Sequence, residues 1–416
     1  MINIQKGTKD VLPEESFKWQ YVEKLLKEQA QLYNLQEIRT PTFEATELFL
    51  RGVGDTSDVV NKEMYTFLDK GERSITLKPE GTAGVVRSYI ENGLFNQVKP
   101  LKLFYLTPVF RYERPQAGRL REHHQFGIEV FGSNDPGTDA EVIKFGYDIF
   151  KKFGAKVSLE INSIGCEKCR PKFREDMEKY LHEHEKDLCE TCRSRIDKNC
   201  MRIIDCKEEA CKKVCENAPS ILDYLCDDCK EHFNKLQSLL KALNISFTVN
   251  PKIVRGLDYY TKTVFEFVAE DIGAKSTVCG GGRYDNLVEQ LGGPSTQGVG
   301  FGLGIERLLL LLENSGFKFE DNHQVDVFIA SFPETFEFSY KLVDELRQNG
   351  ISAELDKDNR SIKAQFKYAD RINAKYVITI GENEINSNSY SVKDMKSGEA
   401  KAFKKDELIS FLKGGK

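Results

Sequence analysis

The pattern of apolar and polar positions changes character several times along the chain, and each change predicts an element. Gly298, Gly300, Gly302 and Gly304 alternate with Val299, Phe301, Leu303 and Ile305, a period of two that puts every large side chain on one face of a strand. The other face carries only glycine, which weakens a strand and usually marks close approach by a ligand or another backbone. A flat heterocycle lying directly on the strand is one reading; a glycine strand packed under another backbone is the other. Leu308 to Leu312 then predicts a buried helix, with Arg307 at the edge of the bare face.

Upstream, residues 110–115 and 125–132 read as two strands joined by a basic loop through Gln116, Gly118, Arg119 and Arg121. Arg111 and Glu113 are two apart and share a side of the first strand, and a guanidinium fork suits bidentate contact with phosphate. The period becomes helical in the middle of the chain, at Phe173, Met177, Tyr180, Leu181 and Leu188 and again at Phe233, Leu236, Leu239, Leu240 and Leu243. No glycine occurs from 166 to 255, although the chain has 31. That shift predicts a mainly helical insertion, residues 165–247, in a discontinuous domain of about 1–160 and 248–322. Beyond it, strand 325–330, helix 335–348, a strand, helix 361–374 and strand 376–380 predict a compact α/β domain, 323–416, with parallel pairing.

Composition narrows the function class. A chain of 416 residues suits two or three domains, and 40% hydrophobic with 30% charged residues is an ordinary globular balance. No apolar run approaches the ~18 residues of a membrane span, and Met1 to Lys6 has no apolar signal core. A cytoplasmic protein without a membrane partner is expected. Sixty Lys and Arg against 65 Asp and Glu leave a net charge of −5, which argues against indiscriminate nucleic-acid binding. RNA contact would need local basic patches and would be salt-sensitive. Neither GxGxxG after a strand nor GxxxxGK[ST] is present.

The basic hairpin and the glycine strand together resemble motifs 2 and 3 of the class II aminoacyl-tRNA synthetases, and Tyr33 to Glu44, around Pro41, resembles motif 1. Arg255-Gly256-Leu257-Asp258-Tyr259-Tyr260 and Gly280-Gly281-Gly282-Arg283-Tyr284-Asp285 resemble the two signatures of the histidyl-tRNA synthetases, and Leu77 to Thr82 resembles that family's substrate-amine loop. The likeness runs over nearly the whole chain. It implies an α+β fold: an antiparallel catalytic sheet with a helical insertion, dimerising through motif 1, and a C-terminal α/β anticodon-binding domain. There are departures: Asn34 and Lys78 replace the usual glycine and arginine, and Leu120 and Glu122-His123 stand where an aromatic and Gln-Phe are common. Asparagine tolerates a left-handed turn, whereas lysine keeps the charge but loses the fork.

The resemblance also implies a chemistry, in which L-histidine and ATP give histidyl-adenylate and pyrophosphate and histidine passes to the 3′ end of tRNA(His). Carboxylate and α-phosphate repel, so the site needs fixed positive charge more than proton transfer. Arg111 is expected on the α-phosphate, Arg307 on the γ-phosphate and Arg255 between carboxylate and α-phosphate. Glu113, Gly302 and Gly304 complete the ATP site, with Mg²⁺ accompanying the phosphates. Neutral imidazole offers one donor and one acceptor, assigned to Glu129 and Tyr260, with Tyr259 and Tyr284 lining the pocket. Glu80, Gly81, Thr82 and Gln125 fall at the α-amino group. Gln116, Arg119 and Arg121 are the expected tRNA contacts. A non-catalytic histidine-sensing paralogue, like the regulatory subunit of ATP phosphoribosyltransferase, is the alternative; the three arginines and the C-terminal segment favour the enzyme.

Ten of the 11 cysteines lie in the insertion. The short pairs Cys166/Cys169, Cys189/Cys192, Cys211/Cys215 and Cys226/Cys229 are what tetrahedral Zn²⁺ requires, each supplying two ligands from one turn. The first two pairs are the expected partners, with Cys200 and Cys206 left over; reduced thiols packed as small hydrophobes are the alternative. Adjacent His123 and His124 would point oppositely on a strand and are read as loop-end residues or RNA contacts.

Overall fold

The computed structural model describes residues 2–54, 59–269, 276–319 and 325–414. It forms two compact units, Met1–Lys318 and Phe319–Lys416. The expected boundary at 322/323 lies outside the described residues.

The first unit is built on an eight-stranded sheet and a three-stranded one. In chain order the strands are β1 (Gln36–Glu37), β2 (Phe43–Ala45), β3 (Tyr65–Leu68), β4 (Ser74–Leu77), β5 (Leu101–Phe110), β6 (Glu122–Phe131), β7 (Ser158–Ser163), β8 (Thr248–Val249), β9 (Thr261–Ala269), β10 (Ser276–Arg283) and β11 (Gly298–Gly304). The large sheet runs β1-β5-β6-β11-β10-β9-β7-β8, antiparallel except at its two outer pairs. Register makes the glycine pattern cooperate: Gly302 faces Gly127 on β6 and Gly280 on β10, while Gly300 faces Glu129 and Gly282. Opposed residues share a face, so the bare positions of three strands fuse into one lane. The opposite face, with Val299, Phe301 and Leu303, is buried. Leu308, Leu309, Leu311 and Leu312 are buried on helix Ile305–Asn314, as their spacing predicts.

Two boundaries differ from expectation. The strand before the basic loop is residues 101–110 rather than 110–115. Its continuation leaves the ladder because Tyr112 donates its N–H to Glu63 O at 2.7 Å, and Arg121 donates to Gly7 O at 2.7 Å. His123 and His124 lie inside β6 rather than at a loop end. The His124 N–H donates to both Glu306 oxygens at 2.9 and 3.0 Å, tying β6 to the start of helix Ile305–Asn314. Asn34 takes the left-handed turn, with φ 57°.

The insertion is mainly helical, with its longest helices at Arg170–Glu183 and Asp227–Ala242. Phe173, Met177 and Leu181 bury one stripe of the first, whereas Leu188 lies past its end and joins the same core. The expected cysteine partnership is replaced: Cys166 and Cys169 meet Cys226 and Cys229, while Cys189 and Cys192 meet Cys206 and Cys211. Helix Arg170–Glu183 begins directly after Cys169 and carries the chain roughly 20 Å away at 1.5 Å per residue. Cys189 therefore cannot return to the first pair, but Cys226 does, at the start of the helix that brings the chain back.

The second unit has β12 (Val327–Ser331), β13 (Ala353–Leu355), β14 (Tyr376–Ile380), β15 (Ser389–Asp394) and β16 (Ala400–Lys404), in the order β13-β12-β14-β15-β16. The predicted α/β alternation accounts for its parallel half. The antiparallel hairpin β15–β16 was not anticipated; its signal is the alternation Tyr390/Val392 followed by Gly398 at φ 77°. Among the described residues, no helix is long and apolar enough to cross a membrane.

Candidate active site

The lane of glycines is filled by neighbouring side chains. A Cβ on Gly298 would come within 2.3 Å of the Tyr284 ring, one on Gly300 within 2.0 Å of Glu129 Oε2 and one on Gly302 within 2.0 Å of Gln125 Nε2. Gly298 and Gly300 are thus roofed and buried, while Gly302 and Gly304 stay partly open. The surface left for a flat heterocycle is therefore the Gly302–Gly304 end of the strand beside Arg307, not its whole length.

Glu129, fully buried on β6, is the centre of the closed end. It accepts from the hydroxyls of Thr82 at 2.7 Å, Tyr105 at 3.3 Å and Tyr284. Burial outweighs these bonds and pushes its carboxyl up to about 8. Glu80 is also buried and accepts the N–H groups of Thr82 at 2.8 Å and Ala83 at 2.7 Å, capping helix Thr82–Glu91. The Tyr259 hydroxyl reaches it at 3.5 Å. Gln125 Oε1 accepts from Gly81 N at 3.0 Å, leaving its amide nitrogen over Gly302. The rings of Tyr259, Tyr260 and Tyr284 adjoin one another, with centroids 4.6 and 5.7 Å apart. All the residues predicted around imidazole and α-amine therefore converge.

The predicted arginines form a second cluster at the open end. The Arg255 guanidinium lies on Gly280, where a Cβ would meet it at 2.7 Å, and pairs with Glu266. Glu266 raises its already high pKa further. Arg111 Nε donates to Pro79 O at 2.8 Å, joining the loop before Glu80. Arg307 Nε donates to Gly118 O at 3.3 Å across the basic loop, and its Nη1 donates to Thr277 O. Burial and the charges of Arg119 and Arg111 lower the pKa of Arg307, a sign of crowded positive charge. Burial and the charges of Arg111 and Arg307 lower neighbouring His123 to about 3 and hold it neutral. Glu113 accepts from Arg119 at 2.8 Å. Arg121 stacks over Tyr112 at 3.7 Å and packs on Gly7, and Gln116 bridges Arg119 within the loop.

Two participants, Tyr105 and Glu266, escaped sequence reasoning. Tyr105 sits opposite Gly127 on β5, and its ring occupies the space that a Cβ on Gly81 or Gly127 would need. Glu266 accepts from Thr277 Oγ1 at 2.6 Å and anchors Arg255. Their only signal was a strand position facing the glycines, invisible before register is known. Lys78, fully buried, points its amine to Thr40 O at 3.1 Å in the motif 1 segment, and burial lowers it to about 8. Arg283, by contrast, lies outside the pocket in a buried knot with Asp139.

Comparison with known proteins identifies the family. The family described as Histidyl-tRNA synthetase matches residues 7–308, and the Anticodon binding domain matches residues 324–414. A histidine–tRNA ligase of Caldanaerobacter subterraneus subsp. tengcongensis is 52% identical over 410 residues, 98% of each chain. One of Clostridioides difficile is 54% identical over 411 residues, again 98% of each. The solved apo histidyl-tRNA synthetase of S. aureus is 42% identical, with a TM-score of 0.85 over 99% of this chain and 100% of that one.

Proposed function

The chain belongs to the histidyl-tRNA synthetase family and is a histidine–tRNA ligase, and from that premise we propose how its residues divide the work. The enzyme activates L-histidine with ATP to histidyl-adenylate and pyrophosphate, then esterifies tRNA; the histidine-sensing paralogue is not favoured.

Glu129 binds the imidazole. The observation that carries this reading is a fully buried carboxylate bonded, among the described residues, only by hydroxyls. Such a group is costly unless a ligand completes it. Tyr260 takes the second imidazole nitrogen, and Tyr259 and Tyr284 close the walls. Glu80, Gly81, Thr82 and Gln125 receive the α-amine. A side chain lacking imidazole's two nitrogens leaves these groups unpaired, which suffices for strong rejection without editing.

Arg255 bridges the histidine carboxylate and the α-phosphate in this reading, which its position against Gly280 and near the Tyr260 ring supports. Arg111 and Glu113 hold the α-phosphate side, and Arg307 the γ-phosphate, with adenine over Gly302 and Gly304. A divalent metal enters with ATP, and we assign Mg²⁺. These fixed cations align two anions and neutralise the charge that builds on the α-phosphate; no side chain need transfer a proton. Gln116, Arg119 and Arg121 remain candidates for the acceptor end of tRNA(His). Arg121 supports its loop as well, through Tyr112 and Gly7.

The C-terminal unit reads the anticodon in this proposal. Residues 1–160 and 248–322 are the catalytic domain, 165–247 the insertion and 323–416 the anticodon domain. Homodimerisation through the motif 1 region is supported by exposed Phe43, Phe67 and Leu68 on the small sheet. Its tRNA substrate assigns the enzyme to the cytoplasm. Histidine-dependent pyrophosphate exchange is the direct test: Glu129→Ala should abolish it while the fold persists, and unchanged exchange would refute the pocket assignment.

A further inference from the structure

The two cysteine tetrads converge too closely to be incidental core packing. Within each, every pair of sulfurs lies inside 4.8 Å. The individual separations are 3.7 Å for Cys166–Cys169, 3.8 Å for Cys166–Cys226 and 3.9 Å for Cys189–Cys206. Zn²⁺ binds thiolates at about 2.3 Å, so the edge of a regular sulfur tetrahedron around it is about 3.8 Å. The side chains are already at that spacing. None of the 11 cysteines forms a disulfide, and sulfurs this close leave room for one central ion but not for several irons with bridging sulfides.

The same domain supplies a control. Cys200 and Cys215 are buried in the insertion core like their neighbours, yet neither joins a tetrad. Packing as small hydrophobes explains those two. It does not explain why four sulfurs meet twice, each time from segments distant in sequence. Backbone donors also face the tetrads: Cys226 N–H reaches Cys169 Sγ, and Cys189 N–H reaches Cys211 Sγ, both at 3.2 Å. Bonds of this kind orient and stabilise coordinating thiolates.

We propose that Cys166, Cys169, Cys226 and Cys229 bind one structural Zn²⁺ and that Cys189, Cys192, Cys206 and Cys211 bind a second. Each ion displaces the thiol protons to solvent and sits in a closed tetrahedral shell, so neither has an open position for catalysis. The first locks the neck, joining the residues where the chain leaves the sheet to the helix that returns it. The second staples the short helices between Cys189 and Cys211, whose Ile196, Cys200 and Ile203 pack into the insertion core.

Both ions lie behind the Arg255–Tyr260 loop. Arg170, next to Cys169, donates to Tyr260 O. Arg202, four residues before Cys206, donates to Arg255 O at 3.0 Å. The metals thus position the loop assigned to histidine and the α-phosphate, a consequence that rests on the proposed pocket, whereas the metal sites themselves do not.

Elemental analysis of full-length reduced protein, purified without chelator from zinc-supplemented medium, should find two zinc ions per chain. Cys226→Ser/Cys229→Ser and Cys206→Ser/Cys211→Ser should each lose one ion, and Cys200→Ser/Cys215→Ser should keep both. If a double variant fails to fold, wild-type protein stripped of metal and titrated with Co²⁺ gives the same answer. Two equivalents should develop thiolate-to-cobalt charge-transfer and tetrahedral ligand-field bands. Fewer than two ions, iron in place of zinc, or zinc loss from the Cys200/Cys215 variant would overturn the assignment. Two zincs with wild-type histidine affinity after their removal would retain the sites and refute the pocket's dependence on them.

Discussion

Glu129 and Asp139 are both fully buried carboxylates at the heart of the catalytic unit, yet the chain treats them in opposite ways. Asp139 meets the Arg283 guanidinium at 3.0 Å, His232 at 2.7 Å and the Thr263 hydroxyl at 2.6 Å. These partners overcome desolvation and hold its pKa below the usual range. Among the described residues Glu129 meets only hydroxyls, and it is pushed up to about 8. The difference separates a joint from a socket. Asp139 has its countercharge inside the chain and ties helix Pro136–Lys152 to β9, β10 and the insertion's return helix. Glu129 has no such countercharge among the described residues, and in the proposed pocket its nitrogen partner is the imidazole of the substrate.

The largest effect should come from breaking the joint. Arg283→Met leaves Asp139 buried without its main countercharge and should cost about 3–5 kcal/mol of stability. At a pH near 4.5, where the Glu129 carboxyl is neutral in the fold, Glu129→Gln should change stability by less than about 1 kcal/mol, because no buried ion pair is lost. Denaturant titration of both variants would decide, and equal losses would erase the distinction.

Arg255→Ala should slow single-turnover adenylation by roughly 10²–10³ while altering histidine affinity much less, because its cation matters most as charge develops. Wild-type turnover would exclude the role. Glu266→Gln should act in the same direction more weakly, since it loosens the guanidinium without removing it.

The pH dependence of stability sharpens the comparison further. Glu129 has a folded pKa above its ordinary 4.5, near 8, so in that window the folded state holds a proton that the unfolded chain releases. Its contribution therefore falls as pH rises from 4.5 to 8. Asp139 is depressed, so its contribution is present above the unfolded value and is lost as pH falls through the folded one. Subtracting the stability profile of Glu129→Gln from that of the parent should leave a downward slope between those limits; a flat difference would contradict the raised pKa.

Histidine affinity should respond least. If the bound pair shares one proton, free Glu129 near 8 and free histidine near 6.5 predict a plateau between those values. Affinity should decline by about tenfold per pH unit on either side, one proton being exchanged. Calorimetry across that range checks this, and a rise continuing up to 8 would mean that Glu129 binds as the bare anion.

How much of this was legible in sequence depended on how far a residue's partner lies from it. The glycine strand could be read because both its pattern and its missing Cβ atoms are local. The arginines and tyrosines were legible as signatures carried by short runs. Tyr105 and Glu266 were not, because each acquires its role from the strand beside it. The cysteine pairs were visible, but their partnership waited on where helix Arg170–Glu183 sends the chain. Lys78 shows the same limit: its amine serves Thr40 in a distant segment.

The glycine lane also sets the terms for redesign. In the proposed pocket a histidine analogue carrying an extra methyl would need space, and space in an enzyme pocket is usually made by trimming what lies beneath the ligand. Here the floor is already glycine, and Glu129 and Tyr284 lie against it. Enlargement must therefore come from the walls, at Tyr105, Tyr259 or Tyr284, where shortening a ring also removes a hydroxyl from Glu129 or Glu80. Tolerance of larger substrates and the ionisation of the buried carboxylates are thus a single design variable.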